Sequence, residues 1–250
     1  MAHDHVDPEL SAVLEHELRS EDTARDGYRN PAETLAFFGV EPGMNVVEYA
    51  PGGGWYTRVL YPWIAPQGRY MALQSDAGPT VDDQPDWASR FVQRAVADWS
   101  FDADKITAFE SDEIPAEIVG TADRVLIFRS LHGMMGDNIA DHELRAIRTL
   151  LADDGMVGVV QHRAAEDAPY SYTDGSKGYL RQSDVVRLFE LHGFELAETS
   201  ELNANPVDLA NWEAGVWTLP PSLTLGDADR DRYLAIGESD RMTLLFRKRN

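Results

Sequence analysis

Apolar residues along the chain follow two alternating patterns, which are short runs of strand length and longer segments with helical spacing. In "GGWYTRVLYPWI", Trp55, Val59 and Trp63 recur at four-residue intervals and therefore share one face of a helix. We predict seven strands, in the segments "MNVVEY", "GRYMALQ", "DKITAFES", "ADRVLIFRS", "MVGVVQHR", "FELAETSEL" and "RMTLLFRKR". Strands that alternate with helices indicate βαβ units, so we expect an α/β fold with a mostly parallel sheet.

Further helices are predicted from the residues at their ends. In "YRNPAETLAFFGVEPG", Asn30 is placed to cap a helix, Pro31 suits its first position and Gly39 ends it. The segments "NIADHELRAIRTLLADDG" and "RQSDVVRLFELHGF" are amphipathic, and Gly193 closes the second of them.

The chain shows no obvious linker, and we divide it by pattern alone. Residues 1–39 form an N-terminal helical segment that we expect to pack at the opening of a ligand site. Residues 40–250 form the α/β domain. Within that domain, residues 203–240 are rich in Asn, Pro and Trp and too long for an ordinary loop, so we expect an inserted lid.

The segment "PGGGWYT", residues 51–57, follows the first predicted strand and opens the next helix. Glycine buries no side chain and costs backbone entropy, so three in succession need a physical reason. One possibility is a tight turn with positive φ, and the other is a turn that a ligand approaches closely. We favour binding, because ligands bind at the carboxyl ends of parallel strands beside free helix N–H groups. No lysine follows the glycines, which excludes a P-loop.

Composition narrows the class of protein. The net charge of −21 disfavours nucleic acid and anionic membranes as partners. The absence of cysteine excludes disulfides, a thiol nucleophile and thiolate metal sites. No run of 18 apolar residues and no apolar signal-peptide core are present, so we expect a cytoplasmic protein, with export of a longer precursor left open. A homodimer is one open possibility for its oligomeric state.

The glycine turn and the strand before it resemble the E-x-G-x-G-x-G motif of class I S-adenosylmethionine (SAM) methyltransferases. Ala50 stands where that motif has its first glycine. The resemblance implies a Rossmann-like class I methyltransferase fold, whose mostly parallel seven-stranded sheet has an antiparallel last strand. It also implies SAM as the cofactor, with S-adenosylhomocysteine (SAH) as the product. The cofactor contacts that it implies are Glu48, Pro51, Gly52, Gly53, Gly54, Trp55, Tyr56 and Thr57.

The same resemblance implies cofactor contacts after later strands. Asp76 follows the second strand, where the family has an acidic residue for the ribose, because a carboxylate can accept from two vicinal hydroxyls. Gln74 is a weaker candidate, and a plain turn residue is the alternative for Asp76. Asp112 matches an adenine-contacting position, and Arg129 and Ser130 match positions beside the transferred methyl group.

A closer resemblance covers almost the whole chain. The segments "YRNPAETLAFFGVEPGM", "PGGGWYT", "GVWTLPPSL" and "YLAIGESDRMTL" are similar to those of a group of bacterial proteins predicted to be SAM-dependent methyltransferases. This resemblance supports the same fold and cofactor, but it implies no particular substrate.

Methyl transfer to an O–H, S–H or amine acceptor requires the removal of a proton. His132 and His162 lie at the predicted ends of the fourth and fifth strands, and Tyr179 lies in the following loop, so these three are the candidate catalytic residues. Histidine takes up a proton near neutral pH and suits a general base, whereas a packed histidine is the alternative at both positions. The spacing of histidines and acidic residues indicates no metal site.

The candidate acceptor-binding residues come from the N-terminal segment, the loop after the fifth strand and the insertion: Tyr28, Arg29, Arg181, Asn205 and Trp217. Simple anchoring of a long loop is the alternative for Trp212 and Trp217. An aromatic and histidine pocket favours a small acceptor such as a phenol or a thiol, including sulfide or methanethiol. We therefore expect a SAM-dependent methyltransferase of a small molecule. The alternatives are a SAM-binding protein without catalysis and a nucleotide-dependent oxidoreductase.

Overall fold

The computed structural model describes residues 7–75 and 86–249. Within them the helices are α1 (Pro8–Leu14), α2 (Asp26–Arg29), α3 (Pro31–Phe37), α4 (Thr57–Ile64), α5 (Trp87–Trp99), α6 (Leu131–Gly136), α7 (Ala140–Leu150), α8 (Tyr170–Thr173), α9 (Gln182–Leu191) and α10 (Arg230–Ile236). The strands are β1 (Asn45–Tyr49), β2 (Arg69–Gln74), β3 (Ile106–Glu110), β4 (Ala122–Phe128), β5 (Leu151–Ala164), β6 (Leu180–Arg181), β7 (Phe194–Ser200) and β8 (Arg241–Lys248).

The strands are arranged in the order β3-β2-β1-β4-β5-β8-β7, and β6 pairs with β5. Strand β2 is parallel to both β1 and β3, whereas β7 and β8 are antiparallel. The predicted α/β fold, with a mostly parallel sheet and an antiparallel last strand, is therefore confirmed. The sheet in the described residues has eight strands rather than seven, because the two-residue strand β6 is too short to leave a pattern in the sequence.

Local differences from the prediction have physical causes. Strand β5 begins at Leu151 rather than Met156, so Gly155 lies inside the strand, where an added Cβ would be 2.6 Å from the carbonyl oxygen of Ala122. The side chain of Asn30 makes no capping hydrogen bond, and its backbone is left-handed at a φ of 41°. Helices α5 and α10 were not predicted.

The chain divides into two compact units. The first consists of residues 1–126 and 146–157, and the second of residues 127–145 and 158–250. In the first unit α4 and α5 pack on β2, and α1 packs on α4. In the second unit α9 packs on β7, and the insertion shares an apolar cluster with Ala164 and Tyr179, in which Trp212 and Tyr233 are buried.

Candidate functional site

The glycine turn lies in the first unit, where it joins β1 to α4. Ala50, Gly52 and Gly54 are all left-handed, with φ values of 50°, 55° and 78°. Ala50 therefore keeps the backbone conformation for which the motif uses glycine. Holding a non-glycine residue in this region costs about 1–2 kcal/mol, so the surrounding structure must fix the turn.

Gly52 and Gly53 form the exposed tip of the turn. Their carbonyl oxygens accept hydrogen bonds from Arg94 Nη2 at 2.8 Å and from Arg58 Nη1 at 3.0 Å. Their N–H groups donate to no acceptor among the residues that the structure describes. A Cβ built on Gly53 meets no heavy atom within 4 Å. The backbone of the tip is therefore open to a ligand.

Gly54 is required for a different reason. A Cβ at this position would lie 2.3 Å from Trp99 Cη2, so the indole ring of α5 occupies the space of a side chain. The N–H group of Gly54 donates to the carbonyl oxygen of Pro51 at 2.9 Å, which closes the turn. Gly54 is therefore a packing residue, and the open position of the turn is Gly53.

Glu48 is buried near the end of β1, and its carboxylate accepts hydrogen bonds from the start of α4 and from β2. Its Oε2 accepts hydrogen bonds from Thr57 Oγ1 at 2.8 Å and from Tyr70 Oη at 2.7 Å. Burial, together with the charge of Glu48, holds the pKa of Tyr70 well above its ordinary value, so Tyr70 stays protonated and donates. These bonds link β1, β2 and the start of α4.

The two aromatic residues that follow the glycines point into the protein. The Trp55 ring lies under the guanidinium groups of Arg19 and Arg29, whose carbons are 5.0 and 4.5 Å from its centroid. Its Nε1 donates to the carbonyl oxygen of Asp22 at 3.3 Å, and Tyr56 Oη donates to that of Arg29 at 3.4 Å. Trp55 and Tyr56 therefore fasten the N-terminal segment to the turn.

A cavity of about 230 Å³ opens beside the turn in the first unit. Its walls come from the turn, the end of β2 and one side of α5, namely Gly52, Gln74, Trp87, Arg90, Phe91 and Arg94. Trp87 and Phe91 stack with their centroids 5.1 Å apart, which gives the cavity a flat aromatic wall. Its size and walls suit one part of a nucleoside-like ligand.

The remaining predicted site residues of the first unit that the structure describes do not line this cavity. Asp76 lies outside the described residues. Asp112 is exposed in the turn after β3. The Tyr28 side chain is 46% exposed, whereas Arg29 is buried against Trp55. The tyrosine and the arginine therefore differ in their access to any ligand.

The second unit brings together a set of rings that we call the histidine cluster, which consists of His132, His162, Tyr179 and Trp217. The His132 centroid lies 5.9 Å from that of His162 and 6.0 Å from that of Trp217. The His162 and Tyr179 centroids are 6.1 Å apart. The structure thus unites both predicted histidines with the predicted tryptophan of the insertion.

His132 lies in the first turn of α6 and is partly enclosed. Its Nδ1 is 3.5 Å from the side-chain nitrogen of Gln161, which also donates to the carbonyl oxygen of Gly178 at 2.8 Å. Burial lowers the pKa of His132 from its ordinary value and outweighs the contact with Gln161, which raises it; the charge of Arg129 acts in the same direction as burial. The neutral imidazole is therefore favoured at neutral pH.

His162 is buried in β5 and bonded to the segment just before β8. Its Nδ1 is 2.6 Å from Ser239 Oγ. The next residue, Asp240, accepts a hydrogen bond from Arg163 Nε at 2.8 Å. Asp240 and Arg163 therefore hold the segment that positions the serine against the imidazole.

Three buried polar atoms near the histidine cluster have no hydrogen-bond partner within the described residues. They are Ser130 Oγ, Gln161 Oε1 and Thr218 Oγ1, each in the same segment as a cluster residue. Buried polar atoms without a partner are rare in folded proteins, and they often mark sites that water or a ligand completes.

Arg129, beside Ser130, is left-handed at a φ of 56° and donates its N–H to the Val160 carbonyl oxygen at 2.7 Å.

Three predicted site residues use their polar groups within the protein. Tyr179 is fully buried and donates its hydroxyl to Asp208 Oδ2 at 2.9 Å. The Asn205 amide donates to two carbonyl oxygens of the insertion at 2.9 and 2.7 Å. Arg181 pairs with Asp184 at 2.6 Å. The structure therefore gives each of these side chains a partner that supports the fold around the cluster.

The two tryptophans of the insertion have different surroundings. Trp212 is buried, and its Nε1 donates to Asp208 Oδ1 at 2.8 Å. Trp217 is 38% exposed and lies edge-on to His132. Trp212 therefore fits the alternative that the sequence left open, an anchor for a long loop. Trp217 instead contacts His132 within the histidine cluster.

Sequence reasoning missed the residues that hold the histidines, above all Gln161, Ser239 and Asp208. Gln161 is the first polar residue after the apolar run 156–160 of β5, and its place before His162 was the available signal. Within residues 7–75 and 86–249, no group of three or more histidine or acidic side chains is arranged to hold a metal ion. The helices of the same residues include none that is both long and apolar enough to cross a membrane.

No protein-family model matches the chain, and no curated protein sequence matches it significantly. Solved structures do match it. One is a chain of the complex between the Haloferax volcanii Trm112 methyltransferase activator and a methyltransferase, with 16% identity over 98% of this chain and 99% of that chain and a TM-score of 0.55.

Two further structures share the fold. A SAM-dependent methyltransferase from Aquifex aeolicus is 14% identical over 78% of this chain and 93% of that chain, with a TM-score of 0.54. Burkholderia thailandensis 1,6-didemethyltoxoflavin-N1-methyltransferase, solved with bound 1,6-didemethyltoxoflavin and SAH, is 16% identical over 100% of this chain and 94% of that chain, with a TM-score of 0.51. At these identities the likeness shows the fold alone, which is the Rossmann-like methyltransferase fold predicted from the sequence.

Proposed function

We propose that the protein is a SAM-dependent methyltransferase that acts on a small molecule. The observation that carries the proposal is the turn after β1, where left-handed residues hold an exposed Gly52–Gly53 tip at the end of the first strand of a methyltransferase fold. The resemblance of the glycine turn and the strand before it to the class I methyltransferase motif favours the same assignment. Methyltransferases among the solved structures of this fold, one of them with SAH bound, support it as well.

The residues of the turn fit the cofactor. The amide groups of Gly52 and Gly53 have no protein acceptor among the described residues, so they are available to the amino-acid tail of SAM. The open space at Gly53 lets that tail approach the backbone. The adjoining cavity, with its Trp87–Phe91 wall, suits the adenosine part. Glu48 supports the turn through Thr57 and Tyr70, which gives the motif carboxylate a structural task.

The chemistry needs an oriented acceptor more than it needs a reactive protein group. When bound, SAM would supply an electrophilic methyl group on its sulfonium, and its sulfur would keep the electron pair of the C–S bond, so that SAH is the leaving group. The protein aligns the acceptor and keeps water away. We assign acceptor binding to the histidine cluster of the second unit, because its aromatic rings and unpartnered polar atoms suit a small ring with one polar group.

In this proposal Tyr179, Asn205 and Arg181 shape the acceptor site without touching the acceptor. Their polar groups are committed to Asp208, to backbone carbonyls and to Asp184. In the first unit the Tyr28 side chain is 46% exposed, whereas the buried Arg29 supports Trp55.

The cofactor assignment is tested by isothermal titration of the purified protein with SAM, SAH, NAD and NADP. We expect SAM and SAH to bind with dissociation constants in the micromolar range, or about 8 kcal/mol. Gly53→Val should abolish this binding, because its side chain would occupy the space that the tail of SAM needs. The thermal midpoint should change little, because that space is open in the protein alone. Gly27→Val is the matched control, since an added Cβ there also meets no atom within 4 Å. Normal SAM binding by Gly53→Val would contradict the assignment.

Catalysis is tested separately, by measuring SAH release with a panel of phenols, thiols and amines. Turnover with any acceptor identifies an enzyme. SAM binding without turnover across the panel would favour a SAM-binding protein that lacks catalysis. Binding of NAD or NADP without SAM would favour a nucleotide-dependent oxidoreductase and overturn the proposal.

A further inference from the structure

The orientation of the Gln161 side chain is fixed by its neighbours. Its amide nitrogen donates to the Gly178 carbonyl oxygen at 2.8 Å, so the nitrogen and not the oxygen must face that carbonyl. Gly178 is itself held tightly, because a Cβ there would lie 2.3 Å from Val216 Cγ1. Gln161 is fully buried, which leaves its amide no solvent to turn towards.

The same nitrogen faces His132. It lies 3.5 Å from His132 Nδ1, at the upper end of hydrogen-bond distances, and its second hydrogen remains after the bond to Gly178. A hydrogen on Nδ1 would meet a hydrogen of the amide, whereas a lone pair on Nδ1 can accept one. The neutral ring therefore keeps its own proton on the other nitrogen, Nε2.

We infer that Gln161 is a positioning residue that holds His132 in its Nε2–H tautomer, so that His132 donates a hydrogen bond to the acceptor molecule and does not act as its general base. A donor of this kind suits an acceptor that reaches the site as an anion or carries a lone pair beside the reacting atom, such as a phenolate or an enolate-like ring oxygen. The inference deepens the proposed function, and its consequence for turnover rests on that function.

The charged and titratable groups around His132 agree with this arrangement. Burial is the largest cause of the lowered pKa of His132, and the charge of Arg129 on the preceding segment lowers it further, while the charge of Asp137 after α6 raises it by a smaller amount. His162 faces it across the cluster, with its own Nδ1 against Ser239. The other neighbour with a known ring contact, Trp217, carries no titratable group.

The tautomer is measured directly by long-range ¹H–¹⁵N NMR of the full chain, without cofactor or acceptor, and the His132 signals are assigned by their loss in His132→Gln. We expect a protonated Nε2 and an unprotonated Nδ1 at pH 7.5. Gln161→Glu places a carboxylate acceptor against Nδ1, so the proton should move to Nδ1. Gln93→Glu, which adds the same charge at an exposed site on α5, should leave the His132 signals unchanged.

Kinetics then test the role of the donor. The side-chain nitrogen of glutamine can replace His132 Nε2 as a donor but cannot take up a proton. We therefore expect His132→Gln to keep at least tenfold more of kcat than His132→Ala, with un-ionised and ionised acceptors alike.

The outcomes separate this inference from the proposed function. A proton on Nδ1 of wild-type His132, or equal kcat loss in the glutamine and alanine variants, would overturn it. An absence of SAM turnover would defeat the proposed function while the NMR result still decided the tautomer.

Discussion

The hydroxyl group of Tyr179 donates to Asp208 Oδ2 over 2.9 Å inside the second unit. The same carboxylate accepts from Trp212 Nε1 at 2.8 Å and from the N–H groups of Ala210 and Asp240 at 2.9 and 2.8 Å. Burial and the charge of Asp208 hold the pKa of Tyr179 far above its ordinary value. Asp208 therefore joins the insertion, the start of β8 and the loop before β6 through one buried group.

The first prediction is that Tyr179 supports the fold and takes no part in proton transfer. Tyr179→Phe removes one of the four donors to Asp208 and should lower the free energy of unfolding by about 1–2 kcal/mol, measured by urea denaturation. The kcat for the best acceptor should stay within about threefold, because a fully buried hydroxyl that is bonded to a carboxylate is not available to the acceptor.

Two variants complete this test. Tyr170→Phe makes the same chemical change at a 70% exposed position and should leave stability unaltered. Asp208→Ala leaves all four donors without their acceptor and should cost at least about 3 kcal/mol, because each buried donor left unsatisfied costs about 1–3 kcal/mol. A loss of kcat by about 10²-fold or more in a folded Tyr179→Phe protein would return Tyr179 to the catalytic residues.

The second prediction separates the two tryptophans of the insertion. Trp212→Ala opens a cavity in the apolar cluster and should lower the free energy of unfolding by about 3–5 kcal/mol. Trp217→Ala, at a 38% exposed position, should cost roughly 1 kcal/mol or less but raise the KM of the acceptor several-fold, since its ring lies 6.0 Å from that of His132. Unchanged KM with every acceptor in Trp217→Ala would make both residues structural anchors.

The sequence predicted the fold well because the strands carry their own signal. Strands β1, β2, β4, β5 and β8 each contain an apolar run, β3 and β7 mix apolar and polar residues, and the turn after β1 is marked by its glycines. Helix α10 was missed because it lies in a segment that is mostly irregular, where no long periodic pattern surrounds it. The position of β6 depends on tertiary pairing with β5, which no local pattern of two residues can reveal.

The candidate site was predicted only in part, because partners distant along the chain decide what each side chain does. His132 and Trp217 are 85 positions apart in the numbering, yet their rings meet, and only the path of the insertion brings this about. Tyr179 looked reactive by its place in the sequence, but the carboxylate of Asp208 makes it a donor in the core. Trp55, next to the glycines, is enclosed by arginines from the N-terminal segment.

The third prediction contrasts neighbouring glycines. Gly54→Ala places a Cβ 2.3 Å from Trp99 Cη2 at a φ of 78°, so the free energy of unfolding should fall by more than the 1–2 kcal/mol of a left-handed alanine. The Cβ added by Gly53→Ala meets no heavy atom within 4 Å, so the free energy of unfolding of this variant should stay within about 0.5 kcal/mol of that of wild type. Trp99→Leu in the Gly54→Ala background should recover the steric part of the loss and leave the backbone part. Equal stability of the two single variants in urea would show that Trp99 yields without cost.

The fourth prediction follows from the lowered pKa of His132, whose largest cause is burial. The unfolded chain takes up a proton on this histidine near pH 6.5, whereas the folded protein does so only at lower pH. Between these two values the unfolded state holds more protons, so the free energy of unfolding falls as the pH falls from about 6.5. Above that value both states are neutral and the contribution of His132 does not change with pH.

His132→Gln removes the titrating group and keeps a donor of similar length, so its free energy of unfolding should decline less than that of wild type from pH 7.5 to 5.5. His142→Gln, at an exposed position on α7, should decline in parallel with wild type and controls for the loss of a histidine. The measurement is urea denaturation at fixed ionic strength, because salt would otherwise alter the repulsion within a chain of net charge −21. If the free energy of unfolding of His132→Gln instead declined as much as that of wild type, the folded protein would protonate His132 as easily as the unfolded chain does. That result would contradict a neutral His132 that donates from Nε2.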